Sequence, residues 1–180
     1  MEHTLQQYDK VLAECTSVFV KKMKDYGPSW RIFRVGSLAD QIFIKANRIR
    51  TLQEVKESRV GEDTRGEWVG IVNYSIIALI QIELGYSAQP DISAIQAEEL
   101  YTKYAAEARD LMTRKNHDYG EAWRDMRIAS FTDLILVKLA RIRQIGDNDG
   151  QTIASEGIDA NFYDIINYAL FALIKLDEGV

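Results

Sequence analysis

The chain has one cysteine, two prolines and two histidines among its 180 residues. The lone Cys15 excludes an intrachain disulfide and a thiolate cluster, and neither histidine has a second histidine or cysteine at zinc-ligand spacing. Few prolines and an apolar fraction of 47% favour a folded helical protein over a disordered one. We therefore expect a cytoplasmic globular protein without a zinc site.

Basic charge and long apolar runs are also lacking. The net charge of −5 leaves no direct DNA-binding footprint. The first ten residues, MEHTLQQYDK, do not have the basic start and apolar core of a signal peptide. The longest apolar stretch, around residues 71–82, is too short and too polar-flanked to span a bilayer. We expect no membrane segment.

What the chain does contain is a duplication. Residues 22–50 and 115–143 share fourteen identical residues over 29 positions without a gap. Both stretches contain an Asp-Tyr-Gly triplet, then a Trp-Arg pair, and both end in Arg-Ile-Arg. After a slip of one residue the match resumes with an Asn-Tyr pair near the end of each unit. The sequence therefore predicts two repeats, residues 8–85 (copy one) and 101–179 (copy two), joined by the linker 86–93.

Apolar residues recur at helical spacing in each copy, and no strand-like alternation of useful length is present. Helices are predicted over about 4–24, 37–58 and 64–84 in copy one, and about 93–116, 130–145 and 156–178 in copy two. Gly27 and Gly120 would end the first helix of each copy, and Ser37 and Ser130 would cap the next. The predicted fold is all-α: one compact bundle of two three-helix units related by an internal pseudo-twofold axis.

Polar residues share one face of the second helix in each copy. On a helical wheel the residues that cluster there are Asp40, Lys45 and Arg48 in copy one and Asp133, Lys138 and Arg141 in copy two. One interpretation is a ligand site in which carboxylates hold a cation and basic residues hold phosphates. The other is an ion-pair network that fixes helix packing. The residue types alone leave both open.

The last helix of each copy adds a buried amide. Asn73 and Asn167 lie inside apolar runs, and a buried amide without a partner costs about 1–3 kcal/mol. We therefore expect each to hydrogen-bond to a specific group. Glu156 and Asp164 lie on the same face as Asn167, which would bring two carboxylates to the polar face of copy two.

The Asp-Tyr-Gly turns have two interpretations. Their glycines would end helices, with the tyrosines packed beneath, or Asp25 and Asp118 would reach a site from a loop. Trp123 would pack in the core or stack on a base, and Tyr119 is a further candidate ligand contact.

The combined pattern resembles the bacterial and phage family called nucleotide modification associated domain, type one. The motifs that carry the resemblance are K-x-x-D-Y-G-x-x-W, then S-x-x-D-x-x-x-x-K-x-x-R-I-R, then the buried Asn-Tyr, once in each copy. The chain is also similar, more loosely, to all-α nucleotide pyrophosphohydrolases of the MazG and dimeric dUTPase kind. These resemblances imply nucleotide or modified-base metabolism, and the second implies Mg²⁺ held by carboxylates on facing helices.

Departures from the family pattern concern the carboxylates. Relatives have a Glu on the last helix followed by Asp four and eight residues later; copy two has Glu156 and Asp164 but Ala160 between them. Copy one retains Glu62 but has Gly66 and Gly70 at both Asp positions. The resemblance therefore implies a site mainly in copy two, with copy one reduced.

The sequence supports two hypotheses about function. The first is a nucleotide-binding protein, with a Mg²⁺-dependent pyrophosphohydrolase-like site as its enzymatic form. Asp133, Glu156 and Asp164 would then hold the metal, and Lys138 and Arg141 the phosphates. The second is a non-catalytic helical module that partners a base-modifying enzyme through an exposed patch near Tyr101 and Tyr104. A homodimer is an open alternative for either.

Overall fold

A computed structural model describes residues 1–55, 63–154 and 156–179. Within these ranges the chain contains six α-helices, two 3₁₀ turns and no strand, as the predicted all-α class requires. The helices are α1 (Glu2–Tyr26), α2 (Val35–Val55), α3 (Arg65–Leu84), α4 (Ala94–Tyr119), α5 (Ile128–Asp147) and α6 (Ile158–Asp177).

Each copy follows the same plan: a long helix, a glycine, a 3₁₀ turn around the Trp-Arg pair, and two further helices. Gly27 ends α1 with φ 66°, and Gly120 ends α4 in the left-handed region with φ 60°. A side chain is strained at such φ values, so glycine is the residue that lets the chain turn here. The prediction that Gly27 and Gly120 end these helices is confirmed, and the helices extend two and three residues beyond the predicted 24 and 116.

The second helices begin earlier than predicted. α2 starts at Val35 rather than Ser37, and α5 starts at Ile128 rather than Ser130. Val35 and Ile128 pack against the core, so the first turn is fixed by burial, and no serine cap is needed. The apolar pattern was therefore a better guide to these two starts than the capping residue.

The helices pack with a twofold pattern of contacts. α3 contacts α6 and α2 contacts α5 across the two copies, while α2 packs on α3 and α5 on α6 within them. α1 contacts α6 as α4 contacts α3. The most apolar helices, α3 and α6, thus form the centre of one bundle, and the predicted pseudo-twofold arrangement is observed.

The amide of Asn73 lies at the junction of the two copies. Its side-chain oxygen accepts a hydrogen bond from the hydroxyl of Tyr101, in copy two, at 2.7 Å. Its Nδ2 donates to the backbone carbonyl of Cys15, in copy one, at 3.0 Å. The amide therefore satisfies a helix carbonyl in its own copy and a tyrosine in the other.

Asn167 repeats this arrangement with the copies exchanged. Its side-chain oxygen accepts from the hydroxyl of Tyr8, in copy one, at 2.8 Å, and its Nδ2 donates to the carbonyl of Ala108 at 3.1 Å. All three residues are buried. The expectation that each buried asparagine has a specific partner is confirmed, and the partner ties the copies together.

Both tryptophans of the Trp-Arg pairs are core residues. Trp123 is 5% exposed and stacks on Phe171 with ring centroids 4.3 Å apart, and Trp30 is 4% exposed. A side chain of the last helix of each copy donates a hydrogen bond to the backbone carbonyl of the neighbouring arginine. Gln81 donates to the carbonyl of Arg31 at 3.0 Å, and Lys175 donates to the carbonyl of Arg124 at 2.7 Å. The 3₁₀ turns are thus anchored to the bundle centre.

The predicted exposed patch near Tyr101 and Tyr104 is wrong. Tyr101 is buried, stacks on Phe19 and donates to Asn73, and Tyr104 is 8% exposed with its hydroxyl on Glu83. Both tyrosines lie on the inner face of α4, where they pack against copy one. This removes the specific surface that the interaction-module hypothesis predicted.

By length and composition alone, α3 would be long and apolar enough to cross a membrane. However, 67% of the relevant window is buried inside the protein. The apolar character of α3 is accounted for by its packing on α2 and α6.

Replacing Asn167 by alanine is expected to lower the free energy of unfolding by about 2–4 kcal/mol. The hydroxyl of Tyr8 and the carbonyl of Ala108 would both lose a buried partner. Urea denaturation measures this loss. The matched control is Asn47→Ala, an exposed asparagine on α2, which should change stability by less than about 0.5 kcal/mol. Equal stabilities of the two variants would contradict the structural role of Asn167.

Candidate functional site

The polar centre of copy two is an ion triad of two lysines and one aspartate. Lys115 on α4 donates to one carboxylate oxygen of Asp164 at 2.6 Å, and Lys138 on α5 donates to the other at 2.7 Å. Asp164 is 7% exposed, so its charge needs these partners. The triad joins the three helices of copy two at one point.

The triad shifts the ionisation of its neighbours. Burial disfavours the charged form of Lys115, but the hydrogen bond and charge of Asp164 outweigh burial, so the pKa of Lys115 lies above its ordinary value. Burial, and then the charge of Asp164, raise the pKa of Tyr168. Lys115 is therefore cationic, and Tyr168 neutral, across the neutral pH range.

Two open cavities flank the triad. One, of about 600 Å³, lies between α4 and α6 and is predominantly acidic. The other, of about 630 Å³, is bordered by Lys138 and Arg141 of α5 and by the segment that leads into α6. We call the second the Lys138–Arg141 cavity. Glu156 lines both cavities and lies at the border between the acidic cavity and the basic one.

The predicted metal ligands are not brought together. Glu156 and Asp164 border one cavity, but Asp133 does not; it is exposed and forms an ion pair with Arg50 at 2.8 Å. Both oxygens of Asp164 already accept from lysine ammonium groups, which a cation would have to displace. Among the described residues no three His, Cys, Asp or Glu side chains cluster closely enough for a metal. As the structure places them, Asp133, Glu156 and Asp164 do not converge on one point where all three could bind a Mg²⁺ ion.

Asp40 and Asp133 instead form equivalent ion pairs across the two copies. Arg143 on α5 contacts Asp40 on α2 at 3.4 Å, just as Arg50 on α2 contacts Asp133 on α5. Both aspartates thus take part in ion pairs that join α2 and α5. The helical wheel placed them on one face, but that face is divided between two neighbouring helices.

In copy one the basic residues of the polar face do act together, around a different carboxylate. Lys45 contacts Glu67 of α3 at 3.3 Å, and Arg48 also pairs with Glu67. Glu67 occupies the position of Asn161 in copy two. The basic residues are therefore preserved, while the carboxylate they contact has moved to another position on the last helix.

The remaining candidates lie outside these clusters. Asn73, Asn167 and Trp123 are structural core residues, as described above. Asp25 and Asp118 are exposed at helix ends, and Tyr119 is 73% exposed, so the expectation that this tyrosine packs beneath the turn is wrong. Glu62 lies outside the described residues.

Sequence reasoning did not single out Lys115 as a site residue. It is the first residue of the K-x-x-D-Y-G motif and is matched by Lys22 in copy one. That identity was the available signal. The identity does not tell which way the lysine side chain points. The structure shows that it turns towards α6 and contacts Asp164.

The chain matches a known protein family. The sequence model of a family described as nucleotide modification associated domain 1 matches residues 22–82 and 115–176. No curated protein and no solved structure matches the chain. Each matched region starts at the lysine of an Asp-Tyr-Gly motif and extends through the last helix, so each contains one complete set of the polar residues described above.

Asp164→Ala is expected to lower the free energy of unfolding by about 2–4 kcal/mol, because Lys138 would keep a largely buried ammonium group without its partner. The value is below that of a fully buried pair, since Lys115 is 45% exposed and can be solvated. Urea denaturation provides the measurement.

A second substitution identifies the cause of that loss. Adding Lys138→Met to Asp164→Ala should restore part of the stability, whereas adding Lys115→Met should restore less. If Lys138→Met lowers stability further, the unpaired ammonium group does not explain the effect of Asp164→Ala.

Proposed function

The chain belongs to the nucleotide modification associated domain 1 family, with two tandem copies of the domain, and from this premise we propose that it binds a nucleotide or modified nucleotide in the Lys138–Arg141 cavity. The family description associates the chain with nucleotide modification. The proposal adds the place and the contacts: phosphate groups on Lys138 and Arg141, with the rest of the ligand along the segment before α6.

The observation that carries the proposal is the pair of basic side chains in a cavity of ligand size. The cavity measures about 630 Å³, within the range of about 300–1,000 Å³ that small-molecule sites occupy. Arg141 is exposed and has no ion-pair partner among the described residues. A guanidinium group presents two parallel donors that match a phosphate, so Arg141 can bind an anion without first breaking another contact.

Lys138 would supply the second positive charge. Its side chain is held by one oxygen of Asp164, and Lys115 holds the other oxygen. This fixes the direction of the Lys138 ammonium group before a ligand arrives, which lowers the entropy cost of binding. Asp164 therefore acts on Lys138 as a positioning residue.

Polar groups for a base or sugar line the same cavity. Asn148, Gln151 and Asn161 offer amide donors and acceptors, and Glu156 offers a carboxylate at the border with the acidic cavity. A carboxylate accepts hydrogen bonds from hydroxyl or amino groups, so Glu156 favours a ligand with such groups on the side away from its phosphates. Asp118 and Tyr119 have no part in this site.

The proposal is for binding with phosphates held by basic side chains. The looser resemblance implies a Mg²⁺-dependent pyrophosphohydrolase, which needs converging metal ligands, and Asp133 lies apart from Glu156 and Asp164. Phosphate binding by Lys138 and Arg141 does not depend on such a set, because their charges neutralise the phosphates directly.

Isothermal titration with nucleoside mono-, di- and triphosphates, in EDTA and in Mg²⁺, tests the proposal. At least one nucleotide class should bind in EDTA, and Arg141→Ala should weaken that binding about tenfold, the effect of losing one hydrogen bond to a charged group. The matched control is Arg143→Ala, which removes the same charge from α5 outside the cavity and should leave affinity unchanged.

Three outcomes would overturn the proposal. Absence of binding by the whole panel would remove it and favour a protein partner. Binding that requires Mg²⁺ would show that the basic side chains do not suffice for the phosphates. Equal losses in Arg141→Ala and Arg143→Ala would show that the ligand responds to the overall charge of α5 rather than to the cavity.

A further inference from the structure

Copy one contains a separate cavity of about 140 Å³ between α1, the first 3₁₀ turn, α2 and α3. It lies at the position where copy two has its ion triad. Its charged lining residues are Lys22 and Lys45, and no aspartate or glutamate of the described ranges lines it. We call it the copy-one cavity.

At this cavity copy one has glycine where copy two has the aspartate of the triad. Gly70 of α3 corresponds to Asp164 of α6, and the alkyl chain of Lys45 lies over Gly70. A Cβ atom placed on Gly70 would lie 2.6 Å from Cε of Lys45, so the lysine occupies the space of the missing side chain. Lys22, the counterpart of Lys115, has no ion-pair partner among the described residues.

Aromatic rings form much of the remaining wall. Trp30 and Tyr74 line the interior, and Tyr26, which is 57% exposed, stands near the opening. The ammonium group of Lys45 lies 5.8 Å from the centre of the Tyr74 ring. A cavity of about 150 Å³ is large enough to hold a benzene molecule. The copy-one cavity therefore has room for one six-membered ring between aromatic side chains.

We propose that the copy-one cavity binds a planar aromatic anion. The ring packs among Trp30 and Tyr74, and an attached carboxylate or phosphate binds Lys22 and Lys45 in place of the carboxylate that Gly70 lacks. In copy two the same two lysine positions share one buried carboxylate. In copy one Lys45 contacts Glu67 at 3.3 Å, whereas Lys22 has no ion-pair partner among the described residues, so the anion of the ligand supplies the partner of Lys22 and approaches Lys45 beside Glu67. This site is independent of the nucleotide site proposed for copy two.

Proton–nitrogen NMR of the full chain, titrated with benzoate and with phenyl phosphate, tests the inference. The indole signal of Trp30 and the amide signal of Gly70 should shift, while the indole of Trp123, its counterpart in copy two, should not. The two probes decide between a carboxylate and a phosphate as the anionic group. Inorganic phosphate and cyclohexanecarboxylate, which lack the aromatic ring, should bind at least tenfold more weakly.

Two substitutions locate the site. Gly70→Asp would place a carboxylate between Lys22 and Lys45, as in copy two, and should abolish binding. Lys22→Ala, on an exposed side chain, should weaken binding about tenfold or more without affecting folding. The matched control is Lys21→Ala, which removes the same charge from the neighbouring exposed position outside the cavity.

The inference is overturned if neither aromatic probe shifts Trp30, if Gly70→Asp binds as well as the unchanged chain, or if Lys21→Ala and Lys22→Ala weaken binding equally. Equal binding of cyclohexanecarboxylate would overturn the aromatic requirement. Nucleotide binding in copy two should be unaffected by Gly70→Asp, so failure here is distinguishable from failure of the proposed function.

Discussion

The two hydrogen bonds between a buried asparagine in one copy and a tyrosine in the other are the constraint on which the structure depends. Asn73 and Asn167 lie in the most apolar helices, where an unpaired amide would cost about 1–3 kcal/mol. Each finds its partner only when α1 and α4 are in place. A single copy folded alone would bury an amide oxygen without its tyrosine, so each copy supplies a hydrogen-bond partner that the other needs.

This frame is symmetric, but the sites within it are not. The residues that join the copies are the same in both, including the asparagines, the tyrosines and the aspartate–arginine pairs. The residues around the lysines have diverged, with Asp164 in one copy and Gly70 in the other. Symmetric packing therefore tolerates two chemically different cavities, because the side chains that bond the copies together are not those that line the sites.

The sequence was sufficient for the fold and for part of the site. Duplication and helical spacing predicted the class, the repeats and the glycine-terminated helices, and burial predicted that Asn73 and Asn167 need partners. It was insufficient for Asp133, because a helical wheel defines a face but not the neighbour that meets it; α5 contacts both α2 and α6. Lys115 was missed for the same reason, since a motif gives the identity of a residue but not the direction of its side chain.

The contacts at the start of α1 have a consequence for the connectivity of the fold. Gln7 donates to Glu178 at 2.7 Å and Lys10 contacts Asp177 at 2.8 Å, so α1 begins beside the end of α6. The link between α3 and α4 spans nine residues, 85–93. A circular permutant that joined the end of α6 to α1 and opened this link would reverse the order of the copies while keeping every helix contact. The packing of the helices therefore does not depend on which copy comes first along the chain.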